Sequence, residues 1–103
     1  MKLIEINLQN IFALCKKYKV KKLYLFGSIL TDRFNDESDV DFSVEFDKEE
    51  INKNKMDWAD LFFDFLHEME NLLGRKVDMV FDNHITNKIF RKELDNTKRL
   101  IYG

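Results

Sequence analysis

Proline is absent from the 103 residues, glycine occurs three times and cysteine once. With so few obligate turn residues, the chain predicts long elements joined by polar loops. A lone Cys15 excludes an internal disulfide framework and a thiolate metal cage. No apolar run approaches the length that spans a bilayer; Leu23–Phe26 and Leu61–Phe63, for example, are only four and three residues long. Met1–Val20 places Glu5, Asn7, Gln9 and Asn10 where a signal peptide would hold an unbroken apolar core. Nor does one charge dominate, since 17 Lys and Arg face 19 Asp and Glu for a net charge of -2. That balance argues against duplex nucleic acid as a partner, because non-specific binding needs concentrated cations. The composition is 45% hydrophobic and 35% charged, as in globular chains of this size. The expectation is one cytoplasmic domain, 1–103, with no membrane association.

What is present has a clear periodicity. Leu8, Ile11, Phe12, Cys15 and Tyr18 recur at helical spacing, so a helix is expected over about Asn7–Lys19, with Cys15 a core side chain. Leu23–Phe26, stopped by Gly27-Ser28, reads as a strand buried on both faces. Thr31–Ser38 is polar and reads as a loop. Asp39–Phe46 alternates, with Val40, Phe42, Val44 and Phe46 on one face and Asp39, Asp41, Ser43 and Glu45 on the other. Asp47–Lys55 is charged and aperiodic, the most loop-like segment of the chain. Trp58, Leu61, Phe62, Phe65, Leu66 and Met69 mark a long helix from about Asp57 to Leu73, ended by Gly74, with Phe63 off its apolar face. Arg75–Phe81 reads as a third strand and His84–Asp95 as a weaker helix carrying Ile85, Ile89, Phe90 and Leu94. Leu100–Tyr102 adds a short last strand. This order predicts an α/β (α+β) fold, a small mixed β-sheet with helices packed on one face and the other open to a ligand.

The chemistry concentrates in two places. Asp39 and Asp41 project from one strand face about 6.6 Å apart, a repulsive pair unless solvated or bridged by a divalent cation. Asp78 interrupts the apolar strand Val77–Phe81; beside Asp39–Phe46 it would bring a third carboxylate, a hard-oxygen set suited to Mg²⁺. Gly27 lets a ligand approach the backbone, and the Ser28 hydroxyl can bond a phosphate oxygen. A phosphate cradle beside an acid cluster suits metal-assisted nucleotidyl transfer, in which two metal ions hold the attacking and leaving oxygens. Asp36, Glu45 and Asp82 are expected at the solvated surface, His67 and His84 exposed, and Lys88, Arg91 and Lys92 on a solvated helix face.

The string Leu25-Phe26-Gly27-Ser28, then Asp39-Val40-Asp41-Phe42 after ten intervening residues, resembles the DNA polymerase beta-like nucleotidyltransferase superfamily. Within it, the chain resembles the minimal nucleotidyltransferases (MNT), with Asp78 in the segment Leu73–Val80 and the ending Lys98–Gly103 also alike. The resemblance implies the polymerase beta-like palm fold. It implies Gly27 and Ser28 as nucleotide-binding residues, and Asp39, Asp41 and Asp78 as catalytic residues and Mg²⁺ ligands. It further implies ATP as substrate and a HEPN-domain toxin as partner, inactivated by AMP transfer onto a tyrosine hydroxyl. Relatives usually have a basic residue and a turn glycine after Gly-Ser, where this chain reads Ile29-Leu30-Thr31-Asp32. That departure keeps open a non-catalytic antitoxin, or binding module of the same fold, that neutralises its partner by complex formation. The oligomeric state stays open between a homodimer and a hetero-oligomer.

Overall fold

Our computed structural model describes residues 2–103. In chain order the elements are α1 (Lys2–Lys17), β1 (Val20–Phe26), β2 (Val40–Phe46), α2 (Lys48–Lys53), α3 (Trp58–Leu73), β3 (Val77–Phe81), α4 (Lys88–Thr97) and β4 (Arg99–Tyr102). Single 3-10 turns occupy Gly27–Leu30 and Asp82–His84. The strands form one mixed sheet in the order β3-β2-β1-β4. β1 runs antiparallel to β2 and β4, while β2 and β3 are parallel and joined through α3.

α1 and α3 cover one face of the sheet. Ile4, Ile11 and Cys15 from α1 meet Leu61, Phe65 and Met69 from α3 above Leu23, Leu25, Phe42 and Val44. The buried residues of α3, Leu61, Phe65, Met69 and Leu73, fall every fourth position and so form one stripe. The Asp57 carboxylate caps this helix by accepting from the Ala59 and Asp60 amides at 2.8 and 3.1 Å. Gly74 closes it in the left-handed conformation at φ +67°. No helix among the described residues is long and apolar enough to cross a membrane.

Four expectations need correction. α1 begins at Lys2, because Ile4 extends the apolar stripe by a turn. β1 is not buried on both faces, since half-buried Tyr24 and Phe26 alternate with buried Leu23 and Leu25. Asp47–Lys55 is not a loop: Asp47 accepts from the Glu50 amide at 3.1 Å and caps α2, whose Ile51 is fully buried. The last helix starts at Lys88, capped by Asn87, so Ile85 lies before it and Ile89 is 81% exposed. α4 lies across the face opposite α1 and α3, with Phe90 edge-on to Phe26 at 6.0 Å.

Phe62 and Phe63 test which stripe of α3 is structural. Phe62 stacks on Phe81 at 4.5 Å, whereas Phe63 is 54% exposed. Phe62→Ser is expected to cost about 2 kcal/mol and Phe63→Ser less than about 1 kcal/mol in urea unfolding.

Candidate active site

Strand register assembles the site. On β2, Asp41 stands opposite Phe26 of β1 on one side and opposite Asp78 of β3 on the other. Asp39 lies one residue before β2, on the same alternating face as Asp41. Gly27 follows directly after β1 at φ +80°, and a Cβ placed there would stand 2.1 Å from Asp41 Oδ2. The absent side chain therefore serves twice, permitting the left-handed turn and making room for a carboxylate. The Thr31 hydroxyl donates to the Ser28 carbonyl at 2.8 Å and closes the turn.

Partial burial pushes Asp41 up, and the charges of Asp78 and Asp39 add to it, so its pKa reaches about 6. Lys76 Nζ lies 3.9 Å from Asp39 Oδ2, which gives the outermost acid a cationic neighbour that sequence adjacency did not reveal. Asp78 is exposed. Among the described residues, no three His, Cys, Asp or Glu side chains already close on one point as a metal cage. The donor set nonetheless fits Mg²⁺, which takes one or two carboxylates and completes its shell with water and substrate phosphates.

Two further groups organise this end of the sheet. Arg75 donates to the carbonyls of Asn35 and Ser38 at 3.0 and 3.1 Å and lies 4.8 Å from the Phe34 ring centroid. It pins the loop that delivers Asp39, a role with no local sequence signal because its partners lie about 40 residues earlier.

The second group overturns the expectation that Asp82 is solvated. The buried Ser43 hydroxyl donates to Asp82 Oδ1 at 2.7 Å, Lys98 Nζ donates to the same oxygen at 3.1 Å, and Arg91 reaches it at 3.3 Å. Asp95 joins through Arg91 and Lys98. Arg91 is thus not on a solvated face, while Glu45 is half-buried and His67, His84 and Asp36 are exposed as expected. Burial raises the pKa of Asp82, but the Ser43 hydroxyl, Lys98 and Arg91 outweigh it and the net direction is down. The resulting stabilisation is present above the ordinary Asp range and lost as pH falls through the lowered pKa. Asp82→Ala is expected to cost about 2 kcal/mol at pH 7, and progressively less as pH falls below the ordinary Asp range, in urea unfolding.

Beside Gly27 and Ser28 a cavity of about 660 Å³ opens between the 3-10 turn and α4, with Arg33, Phe90, Leu94 and Arg99 in its walls. Because these four come from three separate segments, the cavity could not be read along the chain.

A β-sheet palm with acids on one face and a glycine-serine turn beside them defines a nucleotidyltransferase. Residues 9–103 match the family described as polymerase beta, nucleotidyltransferase, and the chain belongs to that family. A relative from Methanocaldococcus jannaschii, named "Putative protein adenylyltransferase", is 35% identical over 84% of this chain and 79% of its own. A second, so named and from the same organism, is 35% identical over 84% of this chain and 80% of its own. A solved structure described as a "putative minimal nucleotidyltransferase" superposes with TM-score 0.75 at 18% identity, covering 95% of this chain and 92% of that one. A toxin-antitoxin complex with AMP-PNP superposes with TM-score 0.70 at 20% identity, covering 94% and 73%. A tri-AMPylated Shewanella oneidensis HEPN toxin bound to its MNT antitoxin gives TM-score 0.65 at 19% identity, covering 96% and 71%. The last three likenesses are of fold.

Proposed function

We propose that the chain is an antitoxin that transfers AMP from ATP to a tyrosine hydroxyl of a HEPN-domain toxin in the cytoplasm. The observation that supports it most is the packing of Asp41 against Gly27 with Asp78 directly alongside. A repulsive, partly desolvated carboxylate is retained at the one place where a phosphate-binding turn abuts the sheet. The names of the adenylyltransferase relatives and of the toxin-antitoxin complexes point the same way.

In this reading Gly27 and Ser28 hold the triphosphate, while Asp39, Asp41 and Asp78 hold Mg²⁺. Bound Mg²⁺ supplies charge neutralisation at the phosphate oxygens as negative charge builds on the leaving group. The acceptor oxygen bonds to the α-phosphorus, the α–β anhydride bond breaks, and pyrophosphate leaves with the bonding electrons. The acceptor proton passes to Asp78, the most exposed of the three acids. The partner surface supplies the second wall of the site and fixes the hydroxyl in line, the positioning on which phosphoryl chemistry mostly depends.

The test is intact-mass analysis of the partner toxin, co-expressed with the wild-type chain or with Asp41→Ala. A gain of one or more AMP masses with the wild type alone supports transfer. An unmodified toxin that is still inhibited would replace transfer by neutralisation through binding, the reading favoured by the Ile29–Asp32 departure.

A further inference from the structure

Little apolar surface holds α4 to the sheet. Leu94 is its one buried residue, and it lies outside the core that α1 and α3 form on the other face. Phe90 adds its edge-on contact with Phe26, while Ile89 is exposed. An isolated helix of ten residues is marginal in water, so polar contacts must supply much of the hold. Those contacts converge on one carboxylate. Asp82 follows directly after β3, the strand that carries Asp78. It accepts from Ser43, the next residue after Asp41 on the same face of β2. It also accepts from Arg91 within α4 and from Lys98 just beyond it, whose Nζ lies 4.0 Å from the Tyr24 ring centroid. The Asp82 and Lys98 side chains are each 15% exposed, so salt and water screen the pair little. One carboxylate thus ties both acid-bearing strands to α4. From that helix Phe90, Glu93, Leu94 and Thr97 line the cavity that Gly27 and Ser28 also line.

We infer that Asp82 is a positioning residue for nucleotide binding: it latches α4 to the sheet and so sets the wall of the cavity beside Gly27 and Ser28. The inference rests on the nucleotidyltransferase reading and adds to it a residue that acts only through α4. With so few apolar contacts, α4 opens ahead of the rest of the fold; only the Asp82 contacts, Leu94 and Phe90 have to part. Nucleotide bound against the closed wall holds it shut by mass action. Neutralising Asp82 strips Arg91 and Lys98 of the partner they share and leaves them only Asp95, which is exposed. The closed fraction then falls, and the apparent affinity for nucleotide falls with it.

Amide hydrogen exchange on the full chain, with and without ATP–Mg²⁺, tests the latch. In wild type the α4 amides should exchange at least about tenfold faster than those of Phe65–Met69 in α3. ATP–Mg²⁺ at about ten times its dissociation constant should slow α4 about tenfold. Asp82→Asn should speed α4 exchange about tenfold, the worth of one hydrogen bond to a charged group. It should raise KM for ATP about fivefold and leave kcat within about twofold. Lys98→Met keeps the aliphatic stem over Tyr24 and should reproduce both effects, including where Asp82→Asn fails to fold. Lys53→Gln, at the end of α2, should change neither. A purely structural Asp82 would lower the melting temperature while KM and the effect of ATP on α4 stayed as in wild type. If wild type binds ATP–Mg²⁺ and α4 exchanges equally with and without it, the latch is wrong while the nucleotidyltransferase reading stands. If wild type binds no ATP–Mg²⁺, the parent reading falls as well.

Discussion

Asp41→Asn is expected to abolish nucleotidyl transfer, by at least about 1,000-fold, and yet to make the protein more stable. Both effects have one cause. In the folded chain the Asp41 carboxylate is partly desolvated and faces Asp78 and Asp39, which raises its pKa from 3.8 to about 6. The folded state therefore holds this proton more tightly than the unfolded state. Stability falls as pH rises through the window between those two values. Complete burial would make the penalty about 3 kcal/mol; solvent reaches the group, so about 1 kcal/mol is the expected size. In EDTA at pH 8 the Asn variant should melt about 5 °C higher than wild type, and at pH 3.5 the difference should vanish. Adding Mg²⁺ should raise the melting temperature of wild type and leave the variant where it was. Thermal scans at the two pH values, with and without Mg²⁺, decide the matter. A wild-type chain as stable as Asp41→Asn at pH 8 would remove the electrostatic argument.

Gly27→Ala should fail in the opposite sense, losing activity and stability together. A methyl group at position 27 meets Asp41 Oδ2 at 2.1 Å, a distance no Cβ can hold, and the φ of +80° is one that alanine resists. The carboxylate or the turn must move. Backbone strain of about 1 kcal/mol plus the clash should lower stability by about 2–3 kcal/mol. Displacing Asp41 by about 1 Å should lower kcat at least about 100-fold, because the chemistry depends on position. Combining Gly27→Ala with Asp41→Gly removes the obstructing carboxylate. The double variant should regain much of the stability and none of the activity, as measured by urea unfolding and by partner mass.

The contrast shows which parts of this molecule could be read along the chain. α3 was legible because its apolar spacing, the Asp57 cap and Gly74 are all local signals. The same holds for β2, whose alternation placed Asp41 and Phe42 on opposite faces before any partner strand was known. α2 was not legible, because one buried residue, Ile51, anchors a six-residue helix of otherwise charged and polar side chains. Ile89 was misread for the converse reason: hydrophobicity marks a candidate for burial, and α4 meets the sheet through Phe90 and Leu94 instead. Among the candidate site residues, Gly27, Ser28, Asp39, Asp41 and Asp78 were singled out along the chain by their pattern and the family resemblance, and strand pairing sets Asp41 beside Asp78. Asp82 could not, since its partners Ser43, Arg91 and Lys98 arrive from β2, α4 and the residue before β4. Its surface-like appearance in sequence disappears once three donors surround it.

Cys15 lies buried on the inner face of α1, and burial pushes its thiol up to about 12. At neutral pH the thiolate that alkylating reagents attack is scarcely populated, and the closed core admits no reagent. Labelling must therefore wait for α1 to lift or for the whole molecule to open. With no second thiol in the chain to confuse the signal, the rate of modification becomes a clock for those openings. Nucleotide, metal or a candidate partner protein can each be added to the untagged native protein, and the slowing of the clock reads how strongly each one holds the closed form.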